Sequence, residues 1–327
     1  MFCDGSITLL MLWQPTSRFD MKPSKMRVKL SEKWVRFITR LSILRKIHCG
    51  GYNLTPASCP VCHGNDRILV AKNDRDGLPA SIWLCRDCGM VYQSPHLDTA
   101  ALQSFYGNEY RRLYRGNNAI PEDYIDRGKR RGEAISTFMK SHGISIGKAV
   151  LEIGCGPGGI LKCFDANGHE VTGTEWDHHC VKAGKVLGID IIYGGIDQLL
   201  PLKKKYDFVI FNHLIEHLDN PVLFLRNAQN LMHTQSILYI ETPGLRHPDT
   251  MGHFRDTIQL AHLTYFDSFT LNSLLKAAGY QTIMIDETCH YIGRPLFKQG
   301  NAFSKGKPSS DNFESNHSLL INARQHA

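Results

Sequence analysis

The chain has 327 residues, 42% of them apolar, which is enough for a real core in one large or two modest domains. Its net charge of +7 comes wholly from residues 1–50, where ten basic side chains face three acidic ones, while residues 51–327 hold 28 of each. A nucleic-acid groove spread over the body of the protein is therefore not expected, and no apolar run is long enough to cross a bilayer. The run from Ile7 to Trp13 is too short for that, and with no basic residue before it, it also makes a poor signal peptide. Four of the ten cysteines form two C-x-x-C pairs and the rest are scattered, so a reducing, cytoplasmic compartment is expected rather than a secreted disulfide scaffold.

Residues 1–30 show no clear period and are expected to be disordered, with Met21 or Met26 as alternative starts. From Ser31 the pattern changes. Trp34, Phe37, Ile38, Leu41, Leu44 and Ile47 fall at helical spacing, while Lys33, Arg36, Arg40, Arg45 and Lys46 take other faces. The resulting basic amphipathic helix closes an N-terminal arm, residues 1–52. It either packs on its own domain with a solvated basic side or makes a peripheral contact with an anionic membrane through residues 31–47.

Residues 53–118 form the next module. Between Cys59-Pro-Val-Cys62 and Cys85-Arg-Asp-Cys88 lie 22 residues, a spacing that lets four thiolates close a tetrahedral zinc site, with Gly89 permitting the tight turn. Four protein ligands leave no open coordination position, so the metal is expected to be structural. A redox dithiol would need only one pair, and His63 and Cys49 are spare residues not expected to bind. Asp98 to Tyr114 reads as one helix with Phe105, Tyr106, Tyr110 and Tyr114 at apolar positions, most simply core, with Tyr106 or Tyr110 as candidates to reach over a bound cofactor. The loop at Gly116-Asn-Asn118 marks the boundary with the third unit, residues 119–327, which opens on a charged helix over Pro121 to Ser141.

Ala149 to Ile153 is a short apolar run, expected as a buried strand, and the glycines after it force a turn before a helix begins at Ile160. Gly154, Cys155, Gly156 and Gly158 let backbone and helix N-terminus come close to a ligand. The next strand, His169 to Thr174, ends in Glu175, 21 residues after Gly154, where an acid can accept both hydroxyls of an adenosine ribose. Gly154, Gly156 and Gly159 satisfy the dinucleotide pattern G-x-G-x-x-G, but Glu152 would face a pyrophosphate badly and suits an ammonium group. Trp176 is a candidate to lie along the adenine, and Ile196 or Asp197 to meet its edge after a third strand over Ile189 to Tyr193. A fourth strand, Tyr206 to Asn212, delivers His213-Leu-Ile-Glu-His-Leu218 at its C-terminal end, where open α/β sheets bind ligands.

The ordered set resembles class I S-adenosylmethionine-dependent methyltransferases, in which Glu152 to Gly159 match the glycine-rich loop, Glu175 the ribose acid and Glu216-His217 the pair after the fourth strand. The resemblance runs from about Arg127 to the C-terminus. It implies a Rossmann-like α/β fold whose seven-stranded sheet has an antiparallel last strand. It implies S-adenosylmethionine as cofactor. Asn212 and His213, at the strand end, are placed against that cofactor, and because a hydroxyl acceptor needs its proton removed, His217 beside Glu216 is the candidate catalytic base; the same pair reads about equally as a helix N-terminal cap and a satisfied buried imidazole. A zinc ribbon before such a core resembles a group of small-molecule and sugar methyltransferases in which the ribbon and the segment after it form a lid, so the implied acceptor is a small polar molecule such as a nucleotide-linked or polysaccharide sugar. An NAD-dependent oxidoreductase and a zinc-ribbon adaptor beside an inactive fold are the competing readings.

Toward the C-terminus the sequence suggests a helix over Pro221 to Met232, a strand over Ser236 to Glu241 and a long loop from Leu245 to Tyr265 carrying His247, His253, Arg255 and His262. His253 and His262 are alternative bases. A helix over Phe266 to Ala278 stops at Gly279, and strands six and seven are expected at Gln281 to Glu287 and Ser318 to Ala323.

Overall fold

The structure is a computed structural model that describes residues 30–117, 119–247, 254–297 and 310–325. The expectation of disorder before Ser31 and the candidate base His253 both lie outside the described residues. The centre is a seven-stranded sheet. In spatial order its strands are Tyr280–Ile285, His290–Pro295, Met232–Glu241, Tyr206–Asn212, Ala149–Ile153, Glu170–Glu175 and Ile191–Tyr193. His290–Pro295 runs antiparallel to both neighbours, and the other pairings are parallel. The expected α/β architecture is therefore present.

The two central strands, Ala149–Ile153 and Tyr206–Asn212, are buried on both faces except toward their ends because helices cover both sides, so they read as near-continuous apolar runs interrupted by Glu152 and Asp207. After Ala149–Ile153 the chain crosses toward Glu170–Glu175, and it returns through Tyr206–Asn212 on the opposite side. The connections thus diverge above the C-terminal ends of these strands, and a crevice opens there. Helix Glu122–Ser141 packs on helix Gly159–Ala166 so closely that a Cβ on Gly159 would sit 2.7 Å from the Ile125 carbonyl and 2.9 Å from the Gly128 Cα. Only glycine permits that approach.

One expectation fails at the C-terminal end. The seventh strand is His290–Pro295, and Ser318 to Ala323 instead lie in helix Ser310–Gln325. Asp286 makes the early turn possible, because its Oδ1 accepts from the Thr288 and His290 N–H groups at 3.0 and 2.9 Å and returns the chain at once along the sheet. In the terminal helix the buried residues Phe313, Asn316 and Leu320 follow helical spacing. The helix expected over Asp98 to Tyr114 is also two helices, Thr99–Asn108 and Tyr110–Arg115, which meet at Glu109. The buried Glu109 carboxylate accepts from Lys46 and Tyr52, so the break fastens these helices to the N-terminal helix Leu30–His48.

The cysteine module folds as Arg67–Asn73, Pro79–Cys85 and Val91–Gln93, and its sheet is completed by Thr264–Tyr265 from the far end of the chain. The stretch expected as one loop, Leu245 to Tyr265, thus contains this strand and a short helix, Phe254–Thr257. Module and core are interleaved.

Candidate active site

A cavity of about 1030 Å³ lies at the C-terminal ends of the central strands. Its floor is the turn after Ala149–Ile153. Gly154, Gly156 and Gly158 all have left-handed backbone, with φ of 74°, 54° and 79°. The Gly154 and Cys155 N–H groups donate to the Thr174 carbonyl at 2.9 and 3.0 Å, which holds the turn against the neighbouring strand. Gly154, Cys155 and Gly156 line the cavity, whereas Gly158 faces Ile189 and Ile191 and caps helix Gly159–Ala166. Cys155 offers backbone rather than sulfur, because its Sγ lies against Gly173.

Glu152 lines the cavity, is 2% exposed, and its Oε2 accepts no hydrogen bond. Burial, with the Glu175 carboxylate nearby, raises its pKa well above the carboxylate range, and Arg131 opposes the shift. A buried carboxyl without a partner at a cavity wall suits a cationic ligand group. Glu175 is fixed differently: its Oε2 accepts from the Gly156 N–H at 2.8 Å and its Oε1 from the Asp177 N–H at 2.9 Å. Burial pushes it up, and these two N–H groups pull it back. Trp176 lies beside Gly195 and meets Tyr193 edge-on at 5.6 Å, and with Ile196 and Asp197 it forms the wall beyond Glu175.

The opposite side is built from the chain after Tyr206–Asn212. Asn212 Oδ1 accepts from Arg131 Nη1 at 3.1 Å, and Arg131 also reaches Glu241 Oε1 at 3.3 Å. His213 has φ of 51°, a strained value for a non-glycine residue, and it turns the chain into the 3-10 helix Ile215–His217. Glu216 is buried beneath three imidazoles. Its Oε2 accepts from the Thr242 hydroxyl at 2.9 Å, while its Oε1 lies 3.4 Å from His213 Nδ1 and 3.7 Å from His217 Nε2. Burial alone would raise its pKa, but the surrounding histidines bring it down to about 2.

His217 Nδ1 contacts both the Tyr106 hydroxyl, at 2.6 Å, and the Ala261 carbonyl, at 2.8 Å. A carbonyl can only accept, so the network assigns the proton to Nδ1 and leaves the Nε2 lone pair beside Glu216. Burial lowers the His217 pKa below its ordinary 6.5 and Glu216 opposes it, which keeps the ring neutral at pH 7. His262, with its ring centre 4.7 Å from that of His217, is pushed down to about 3 by burial and by His217. Together they form a neutral proton acceptor, a carboxylate able to balance the cation it becomes, and a phenol hydrogen-bonded to it.

Several lining residues were not among those singled out from the sequence. Tyr124 and Arg131 come from helix Glu122–Ser141, and Arg115, Arg127 and Arg130 lie at the cavity wall. No local motif marks them, since they reach the site only through packing. Tyr106, by contrast, is a candidate in the sequence, and it reaches His217 across 111 residues.

Outside the cavity, Cys59, Cys62, Cys85 and Cys88 bring their sulfurs within 4.8 Å of one another. The Cys59–Cys88 and Cys62–Cys85 pairs lie at 3.5 and 3.4 Å, against about 3.8 Å for a tetrahedron of zinc–sulfur bonds. The Gly64 N–H donates to Cys62 Sγ at 3.4 Å, the kind of contact that stabilises thiolate. The donor set suits zinc. Residues of the terminal helix seal the knuckle: Asn312 donates to the Cys88 carbonyl at 3.0 Å and Asn316 to the Gly89 carbonyl at 2.9 Å.

Residues 122–285, half of the chain, match the sequence profile of a family described as a methyltransferase domain. Among solved structures, the fold is similar to that of magnesium protoporphyrin IX methyltransferase from Synechocystis PCC 6803 with bound SAH, at 15% identity and a TM-score of 0.44 over 60% of this chain and 98% of that chain. It is also similar to an S-adenosylmethionine-dependent methyltransferase from Clostridium acetobutylicum ATCC 824, at 9% identity and a TM-score of 0.42 over 53% and 96% of the two chains. No curated protein matches the chain.

Proposed function

The chain belongs to the methyltransferase-domain family, and from that premise we propose that it methylates a small polar acceptor, a nucleotide-linked or polysaccharide sugar, at oxygen or carbon, using S-adenosylmethionine. The observation that carries the reading is a single cavity with an unpartnered buried carboxyl, Glu152, on one side and the Tyr106–His217–Glu216 chain on the other. When bound, the cofactor supplies a methyl carbon activated by a sulfonium, transferred by in-line displacement. Glu152 receives its ammonium group and Glu175 its ribose hydroxyls, while Trp176 and Ile196 flank the adenine. Gly154, Cys155 and Gly156 give the close backbone floor, and Asn212 and His213 border the amino-acid end.

For a hydroxyl acceptor, His217 takes the proton at Nε2 and Glu216 balances the imidazolium that forms. Tyr106 holds the ring against rotation through Nδ1. Within the acceptor class, the guanidinium groups of Arg115, Arg127 and Arg130 at the cavity wall favour a sugar carried on a diphosphate over an uncharged glycan. The four-cysteine knuckle is read as a structural zinc site, closed to substrate. Neither the dehydrogenase nor the adaptor reading gains support from the family match.

Isothermal titration of the full chain with S-adenosylhomocysteine and with NAD tests the cofactor. Binding of the first alone is expected, and failure to bind it overturns the assignment. Transfer of labelled methyl groups to a panel of nucleoside-diphosphate sugars and free glycans then tests the acceptor, and label entering only uncharged glycans rejects the diphosphate.

A further inference from the structure

Helix Leu30–His48 is apolar on two opposite sides. Thr39 and Ile43 are buried, and Leu44 and Ile47 pack with them against the cluster that includes Leu97, Phe105 and Leu113. The other side has no such cover among the described residues. Trp34, Phe37, Ile38 and Leu41, at spacings of three and four, are 59%, 45%, 53% and 39% exposed and form one continuous stripe. Trp34 and Phe37 meet edge-on at 6.0 Å, which presents a ready-made aromatic wedge to solvent. A stripe of this size on an otherwise well-packed protein calls for an occupant.

The charge around it selects one. Lys33 and Arg45 are exposed on this helix, and residues 22–29, just before it, contain Lys22, Lys25, Arg27 and Lys29 with no acid. We infer that this stripe docks the protein on the surface of an anionic lipid bilayer, with the aromatic and aliphatic side chains at the headgroup boundary and Lys33 and Arg45 facing lipid phosphates. No helix among the described residues is long and apolar enough to cross a membrane, so the contact is peripheral. The helix does not float. Glu109 ties it to the break between the two helices that carry Tyr106, Tyr110 and Arg115 to the cavity, and Glu32 accepts from Asn117 at 3.0 Å. Docking therefore fixes the lid side of the cavity relative to the membrane. This inference goes beyond the proposed methyl transfer and does not depend on it.

The test is co-sedimentation of the full chain with phosphatidylcholine vesicles and with vesicles containing phosphatidylglycerol, alongside Trp34→Glu/Phe37→Glu and Lys33→Glu/Arg45→Glu variants. These four residues face solvent, so folding is expected to survive, and an unchanged circular dichroism melt checks it. The wild type is expected to pellet only with the anionic vesicles and to be released by high salt. The first variant should lower the partition coefficient on the order of 100-fold and the second about tenfold. Undiminished pelleting of Trp34→Glu/Phe37→Glu overturns the inference, as does equal binding to neutral vesicles. Absence of pelleting overturns it too, and a dimer in light scattering that the first variant abolishes would then assign the stripe to a second copy of the chain.

Discussion

At Glu152 the strand delivers a carboxyl to the cavity with burial pushing it toward the neutral acid. A ligand ammonium beside it would reverse that preference, so cofactor binding near neutral pH should release a proton from this residue. Calorimetry with S-adenosylhomocysteine in two buffers of different ionisation enthalpy should show that release. Glu152→Gln should abolish the buffer dependence and weaken binding by about 2 kcal/mol, the scale of a lost charge-assisted hydrogen bond. Buffer-independent heats in the wild type would contradict the role. His217 makes a second claim at this scale. Its pKa is lowered from 6.5, so the base form is already present at neutral pH, and the rate should fall only as pH drops through a value below 6.5. His217→Ala should cut turnover by about 100-fold or more while leaving cofactor affinity nearly intact. An acid limb above 6.5, or an unchanged rate, would move the base to another group.

Among the elements, the hairpin that ends the sheet has its own titration. His290 Nε2 lies 3.8 Å from Glu241 Oε1 and Nδ1 lies 2.8 Å from Asp286 Oδ2, and Glu241 foremost, then Asp286, raise its pKa to about 8 against the pull of burial. A raised histidine pKa contributes stability that is complete below the unfolded value of 6.5 and is lost as pH rises through about 8. The melting temperature of the wild type should therefore decline between those limits, and that of His290→Asn should not. Parallel profiles would remove the histidine from the account. This same hairpin shows where the sequence misleads. Its turn depends on the Asp286 side chain serving two backbone N–H groups, and nothing in the hydrophobic pattern announces it, so that pattern points instead to a strand beginning at Ser318, 28 residues after His290. The break at Glu109 is hidden for a similar reason, since its partners Lys46 and Tyr52 lie 63 and 57 residues away.

Across the whole molecule, what the sequence makes legible is whatever one strand and its following turn build alone. Glu152 to Gly156, Glu175 and Glu216-His217 each sit at the end of a strand, and all line the cavity. Tyr124 and Arg131 join them only through tertiary packing, so no spacing reveals them, whereas Tyr106 and His262, which packing also brings in, are already candidates in the sequence, the first to reach over a cofactor and the second as an alternative base. The most distant of these connections links the cysteine knuckle to the site. The Gln93 N–H donates to the Leu263 carbonyl at 2.8 Å, and the Leu263 N–H donates to the Glu216 carbonyl at 2.8 Å, so the sheet of the cysteine module is bonded to the segment that holds Glu216 and His217. The terminal helix clamps the same knuckle. Gly89 has φ of 75°, and a Cβ there would lie 2.7 Å from the Asn312 carbonyl oxygen, so Gly89→Ala should cost about 2 kcal/mol or more through backbone strain and displacement of the helix. If the knuckle holds zinc, elemental analysis of the purified chain should find one ion per molecule, and Cys88→Ser should lose it. Because the cysteine module braces Glu216 rather than the glycine turn, that variant should lower the melting temperature by about 10 °C and reduce turnover more than it reduces affinity for S-adenosylhomocysteine. A Cys88→Ser protein with unchanged melting temperature and rate would show that the module neither depends on metal nor braces the site.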